Sequence, residues 1–174
     1  MNMAKKRILV ISGEAWRDED NGGNVLSNLF APLRDEFEFA QIYCSPAEPN
    51  NAVCTKYYHL SELQMLHSVF RFRKFGCYFQ TDANKEDNPS QTNENFRQEY
   101  KRFRWWILFF IRDLLWYVSR WRTKELNNFI KEFNPDIIFA PMYGGCFMHF
   151  IDRYVFKISH KRVISYVSDD HLTF

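Results

Sequence analysis

Several common functional motifs are missing from this chain. It has neither a GxGxxG dinucleotide fingerprint nor the Gly-Lys-Ser/Thr of a Walker A loop, which disfavours a dehydrogenase and a P-loop nucleotidase. Its four cysteines are widely separated and form no CxxC pair, so reduced thiols of a cytosolic protein are expected rather than a zinc site or a redox pair. We therefore expect neither a bound metal nor a cofactor.

The chain also lacks a strong net charge and a long apolar run. A formal net charge of +2 is too small to indicate a nucleic-acid partner. The apolar run near the N-terminus lasts about six residues, which is too short for a signal peptide or a membrane span. With 174 residues, 46% of them hydrophobic, the chain should form one domain over residues 1–174 with a substantial core.

Segments typical of strands and helices alternate along the sequence. Residues 8–11, 38–44, 54–60, 137–141 and 162–168 are predicted strands, and about 23–35 and 146–158 are predicted helices. Residues 95–133 predict one long helix or two joined helices, and the polar residues 80–95 predict a surface excursion. This alternation predicts a three-layer α/β fold with a doubly wound, mostly parallel sheet, whose ligands bind where the strands end.

Two glycine-containing loops precede predicted helices. Gly22 and Gly23 have no Cβ, so a ligand could approach their backbone, and the helix N-terminus that follows favours an anionic or hydroxyl-rich ligand. The pair could equally form a simple turn. The acidic residues just before it, at 18–20, could orient hydroxyl groups or could merely be solvated. Tyr143 and Gly144 follow a later strand in the same way, and they are also predicted to bind substrate.

A polar trio, Asp169, Asp170 and His171, follows the last predicted strand. Polar side chains at the carboxyl end of a buried strand reach the ligand-binding edge of the sheet, which makes this trio a candidate catalytic group. The alternative is that one of the aspartates caps a helix.

In their order and spacing, these pieces resemble the N-terminal, Rossmann-like domain of GT-B glycosyltransferases. The likeness is greatest to the retaining family 4 enzymes that build bacterial surface polysaccharides. It rests on residues 6–11, 22–24, 134–140 and 162–170. It implies a hexosyltransferase, with a nucleotide-sugar donor and a glycan or lipid-linked acceptor as substrates.

The resemblance also implies roles for particular residues. Gly22, Gly23 and Asn24 would line the cleft near the donor phosphate and the acceptor. Asp169, Asp170 or His171 would lie beside the transferred sugar. Because the family usually has a histidine where this chain has the two aspartates, the choice within that trio is open.

Enzymes of this family have a second Rossmann-like domain that binds most of the nucleotide-sugar. No such segment is present up to Phe174, so we expect this chain to fold without catalysing alone; sugar transfer by the isolated chain above a no-enzyme control would refute this. The alternative function is a non-catalytic nucleotide-binding or regulatory Rossmann-like module.

Residues 97–124 are both aromatic and basic, with eight basic and two acidic side chains and a net charge of +6. A helical wheel gives one apolar face and an opposite basic face, but several large apolar residues, including Trp105, Phe109 and Trp116, fall on or beside the basic face. Arg112 and Asp113 exclude a membrane-spanning helix.

Two interpretations of this segment remain open. It could be an internal helix whose second apolar flank is covered by residues 67–80. It could instead lie at a membrane interface, which fits the resemblance because similar enzymes often use lipid-linked acceptors. The protein would then be cytoplasmic and peripheral on the inner face of the cytoplasmic membrane, with these predicted membrane contacts: Trp105, Trp106, Phe109, Trp116 and Arg112.

Overall fold

The computed structural model describes residues 5–62, 64–65, 76–80, 105–141 and 146–167, and in these ranges strands alternate with helices to form an α/β fold. The strands are β1 Lys6–Ile11, β2 Phe37–Tyr43, β3 Lys56–His59, β4 Cys77–Gln80, β5 Ile137–Pro141 and β6 Arg162–Tyr166. The α-helices are α1 Asn21–Phe30, α2 Trp105–Val118, α3 Lys124–Phe133 and α4 Cys146–Ser159.

These strands form one mostly parallel sheet in the order β4-β3-β2-β1-β5-β6. β1 is central and pairs in parallel with β2 and β5, so that Ile8 lies between Phe39 and Ile137. The outer pairs β2–β3 and β5–β6 are also parallel, whereas β4 is antiparallel to β3. The predicted α/β fold with a mostly parallel sheet is confirmed, and β4 is a strand that the sequence patterns did not predict.

Each face of the sheet carries its own apolar core. Alternate residues of β1 point to opposite faces, as the pleat of a strand requires. Ile8 and Val10 pack with α1, and Leu9 and Ile11 pack with residues of α2, α3 and α4. Because β1 is covered on both sides, it reads as a continuous apolar run rather than an alternating one.

The segment predicted as one long helix or two joined helices is two helices within residues 105–133. A short connection separates α2 from α3, and its Trp121 is buried. Thr123 caps α3, because its side chain accepts a hydrogen bond from the backbone N–H of Leu126 (3.1 Å). Asn134 ends α3 in the left-handed conformation with φ of 44°. Residues 95–104 lie outside the described part of the chain, as does the predicted polar excursion except for Gln80, which ends β4.

Helix α2 buries the side that the helical wheel placed on or beside the basic face. Its buried side carries Trp116, which is 0% exposed and stacks on Phe147 at 5.3 Å between ring centroids. Trp116 was expected to contact a membrane, and that prediction is wrong, because burying this large indole between Phe147 and Trp121 removes it from the surface. Arg112 is half-buried and lies over the Phe147 ring at 4.4 Å, so it too faces the protein.

The apolar face of the helical wheel is exposed in its described part. Its apolar side chains are between 45% and 64% exposed, and they are Phe110, Ile111, Leu114, Tyr117 and Val118. Three other predicted membrane contacts belong to α2, but their side chains lie outside the described part: Trp105, Trp106 and Phe109. In the described ranges, no helix has the length and apolarity needed to cross a bilayer.

Candidate functional site: the carboxyl edge beside β1

The candidate site lies where the direction of the chain connections reverses. From β1 the chain passes through α1 to β2 on one side, and from β5 it passes through α4 to β6 on the other. In open α/β sheets, ligands bind in the crevice outside the carboxyl ends of two such neighbouring strands. The loop after β1 also passes near the start of α4, because a Cβ added to Gly13 would lie 3.9 Å from the sulfur of Met148.

A buried glutamine holds the loop after β1 in one conformation. The Gln41 side-chain amide donates to Ser12 Oγ (2.6 Å) and to the Glu14 carbonyl (3.0 Å), and its oxygen accepts from the Trp16 backbone N–H (3.1 Å). Gln41 is 0% exposed, so these bonds are shielded from water and leaving them unmade would be costly. The loop is therefore preformed, as a binding site requires.

The two glycines at the start of α1 have different surroundings. A Cβ on Gly23 would lie 1.9 Å from the carbonyl oxygen of Arg17, so the absence of a side chain lets the helix pack against its own preceding loop. A Cβ on Gly22 would meet only the end of the Glu14 side chain, at 3.2 Å. Of the predicted substrate-binding residues here, Gly22 and Asn24 are exposed, whereas Gly23 is buried and has a packing role.

Acidic side chains surround the start of α1. Arg17 pairs with Glu19 (3.2 Å) and Asp20 (3.6 Å), and Asp18 accepts a hydrogen bond from the Ser27 hydroxyl. Glu14 is exposed, and in the described part of the chain its carboxylate has no hydrogen bond or ion pair.

The charge of this loop selects among ligands. Residues 12–24 carry four acidic side chains and one basic one, a net charge of −3. Such a field disfavours a phosphate group, although a helix N-terminus alone would favour one. Ionised carboxylates accept hydrogen bonds readily, so a neutral, hydroxyl-rich ligand suits this loop better than a phosphate.

A second polar cluster lies between β2, α2 and α4. Asp113 of α2 caps α4 by accepting a hydrogen bond from the Phe147 backbone N–H (3.3 Å). One turn after Met148, burial raises the pKa of Asp152 to about 7, and burial also raises the pKa of Glu62 even though Arg112 opposes the shift. A carboxyl group with a pKa near neutrality can give or take a proton at physiological pH.

A thiol belongs to the same cluster. Cys44, directly after β2, is buried, and this burial raises the pKa of its thiol well above the usual value. The thiol is therefore protonated at neutral pH and is a poor nucleophile. Within the described ranges, no three His, Cys, Asp or Glu residues are grouped to hold a metal ion.

Five predicted site residues lie outside the described part of the chain, and their roles stay predictions: Tyr143, Gly144, Asp169, Asp170 and His171. Conversely, the sequence patterns missed Glu14, Gln41 and Asp152. Two of them could have been suspected from the sequence, because Gln41 interrupts an apolar strand and Asp152 interrupts an apolar stretch of α4.

No family model matches this chain, and searches of curated proteins and of solved structures also gave no match. The likeness to glycosyltransferases stays a prediction from the residues quoted above.

Proposed function

We propose that this chain is the acceptor-side, Rossmann-like domain of a glycosyltransferase that transfers a sugar from a nucleotide-sugar to a glycan or lipid-linked acceptor. The observation that carries this proposal is the preformed acidic loop at residues 12–20, which follows the carboxyl end of β1 and is hydrogen-bonded to β2 and to the segment after it. A sugar acceptor is neutral and rich in hydroxyl groups, and carboxylates and amides at such an edge bind hydroxyls by accepting their protons in hydrogen bonds.

Glu14 has the most direct role in this proposal. Its carboxylate is exposed and lies near the start of α1, 3.2 Å from where a Cβ on Gly22 would be. There it would accept a hydrogen bond from an acceptor hydroxyl and orient that oxygen. Gln41 is a positioning residue, since it fixes the backbone of Glu14 without reaching solvent.

The loop charge argues against the alternative, a nucleotide-binding module with its phosphates at α1. Four carboxylates would repel a diphosphate at this position, and Arg17 already pairs with two of them. The proposal therefore assigns the acceptor, and not the donor phosphate, to the loop after β1.

A titration followed by amide chemical shifts tests this proposal on the 174-residue chain. The added molecules are neutral disaccharides and, in a separate series, uridine diphosphate. We expect the disaccharides to shift amides within residues 12–24, and Glu14→Gln to weaken this binding about tenfold, because it replaces a charged hydrogen-bond acceptor by a weaker, neutral one. Glu36→Gln is the matched control, an exposed glutamate at the opposite, amino end of β2, and it should bind like the unmodified chain.

Two outcomes would overturn the proposal. One is that no disaccharide perturbs residues 12–24 at concentrations where weak sugar complexes form. The other is that uridine diphosphate shifts these amides and the disaccharides do not, which would favour the nucleotide-binding module.

A further inference from the structure

The four cysteines differ in their access to solvent. Cys44 and Cys54 are buried, whereas Cys77 and Cys146 are exposed. Burial raises the pKa of the Cys44 thiol well above its usual value and raises the pKa of Cys54 to about 12. The two buried thiols are therefore unreactive at neutral pH, and the two exposed thiols are the ones that can react with a molecule in solution.

Cys146 is the first residue of α4 and has a histidine beside it. His149 lies three residues further along the helix and is also exposed, so the Cβ atoms of the two residues lie about 5–6 Å apart on one side of α4. Nδ1 of His149 lies 3.9 Å from Oδ2 of Asp152, which is three residues further on again. Because Nδ1 faces Asp152, Nε2 is the nitrogen that can accept a proton from the thiol.

Asp152 favours a positive charge on His149. Its Oδ1 atom is buried and makes no hydrogen bond within the described ranges, so the carboxylate can be paired through Oδ2, on the side of His149. When His149 accepts a proton, the imidazolium and this carboxylate stabilise each other. Two further charges lie at the start of α4, Arg112 and Asp113, but they are of opposite sign and 4.0 Å apart, so they add little net charge.

The other exposed thiol has a different neighbour. Cys77 lies opposite His59 in the pairing of β3 with β4. The His59 ring is stacked on Tyr43 with their centroids 4.6 Å apart, and its Nε2 is buried. Burial lowers the pKa of His59, so this imidazole resists taking up a proton. Of the two exposed thiols, Cys146 therefore has the histidine that can hold the thiol proton.

We propose that Cys146 is a site of S-thiolation, at which a small disulfide forms a mixed disulfide with the protein. His149 accepts the proton of the thiol, and the thiolate attacks one sulfur of the disulfide, so that a new S–S bond forms while the old one breaks. The departing thiolate takes the proton from His149. Cys146 is thereby oxidised, and one half of the small disulfide is reduced to a free thiol.

A disulfide suits this position better than an acyl group. Acyl transfer needs N–H donors for the negative oxygen of its intermediate, and the Phe147 N–H, directly after Cys146, already donates to Asp113. Exchange with a disulfide places the developing charge on sulfur and needs no such donor. The proposal goes beyond the proposed function and does not depend on it, since neither a sugar nor a nucleotide takes part.

Peptide mass spectrometry tests the proposal after timed exposure of the folded 174-residue chain to bis(2-hydroxyethyl) disulfide. This probe is neutral, so surface charge does not attract it to either exposed thiol. A free thiol is only slightly ionised near pH 7, so a base that takes the proton should make Cys146 react about tenfold faster than Cys77. Cys44 and Cys54 should stay unmodified.

His149→Asn should slow Cys146 to about the rate of Cys77, and it should leave the rate of Cys77 unchanged. It should also make the rate at Cys146 rise more steeply with pH, because the thiolate then forms only by loss of its proton to solvent. The exposed Arg153, one turn beyond His149, stays in place. His160→Asn is the matched control, an exposed histidine just after the other end of α4, whose φ of 53° asparagine tolerates.

Three results would overturn the proposal. Cys146 could react no faster than Cys77. His149→Asn could leave the rate at Cys146 unchanged while circular dichroism shows a folded chain, and His149→Gln gives the same test if His149→Asn does not fold. Finally, His160→Asn could slow Cys146 as much as His149→Asn does, which would show an effect on stability instead of proton transfer.

Discussion

Replacing Gly23 by alanine tests whether backbone contact positions α1 at the candidate site. The new Cβ would lie 1.9 Å from the oxygen and 2.5 Å from the nitrogen of Arg17. These are backbone atoms that cannot rotate away, so the helix and the loop must separate by about 1.1 Å to restore a tolerable contact of 3.0 Å.

The expected cost follows from these contacts. Overpacking costs about 1–3 kcal/mol. The separation also strains the hydrogen bond from Trp16 Nε1 to Ser27 Oγ (2.7 Å), which contributes about 1 kcal/mol. Alanine regains about 1 kcal/mol because it is a better helix former than glycine. We therefore expect Gly23→Ala to lower the free energy of unfolding by about 2 kcal/mol, which shifts the urea midpoint by roughly 1 M.

Urea unfolding, followed by tryptophan fluorescence and circular dichroism, measures this change. Gly22→Ala is the matched control in the same turn of the helix, where the new Cβ meets only the flexible end of Glu14 at 3.2 Å. The control should be neutral or up to about 1 kcal/mol more stable than the original chain. Equal midpoints for the two variants, or an unchanged Gly23→Ala midpoint, would refute the packing role.

Two further predictions concern the helices behind the sheet. Burial raises the pKa of Asp152 to about 7, so the folded state holds a proton that the unfolded state loses, and stability should fall as pH rises from about 4 to 7. Asp152→Asn should remove this slope and raise the free energy of unfolding at pH 8 by about 2 kcal/mol, about half of what the full pKa shift corresponds to, because the side chain is 23% exposed. Chemical denaturation at several pH values measures the slope, and the exposed control Asp35→Asn should keep it. A slope unchanged in Asp152→Asn would contradict the assignment. Thr123→Ala removes the cap of α3 and the hydrogen bond to the buried Tyr58 hydroxyl (3.1 Å), so we expect it to lower the free energy of unfolding by about 2–3 kcal/mol. Thr123→Ser keeps the hydroxyl and should lower the free energy of unfolding by less than about 1 kcal/mol. Equal losses in both Thr123 variants would show that the hydroxyl is unimportant.

Strands were predicted correctly from sequence where the local pattern is compatible with a single type of secondary structure. β1 and β5 are short apolar runs bounded by polar residues or proline, and such runs are buried as parallel strands between two layers of helices. The end of α3 was also predictable, because Pro135 cannot continue a helix and Asn134 tolerates the left-handed conformation. β4 was missed because its four residues pair only with β3, and its pattern is too short to distinguish it from a loop.

The candidate site was predictable only in outline. The position and charge of the loop after β1 followed from the sequence, but its hydrogen-bonded conformation depends on contacts with distant residues. Gln41 reaches the loop from a different strand, and the close approach of Gly23 to Arg17 depends on how α1 folds back. A glycine pair in sequence does not reveal whether the space it leaves is filled by a ligand or by the chain itself.

The sequence by itself determined the alternation of elements, and with it an α/β protein whose candidate ligand-binding edge lies beside β1. Only the tertiary structure decided which side of α2 is buried. That helix has large apolar residues around its whole circumference, so periodicity could not select a side, and the fit of Trp116 against Phe147 and Trp121 did. The physical reason is that local sequence fixes hydrogen bonding and periodicity, whereas packing depends on shapes that meet only after the chain has folded.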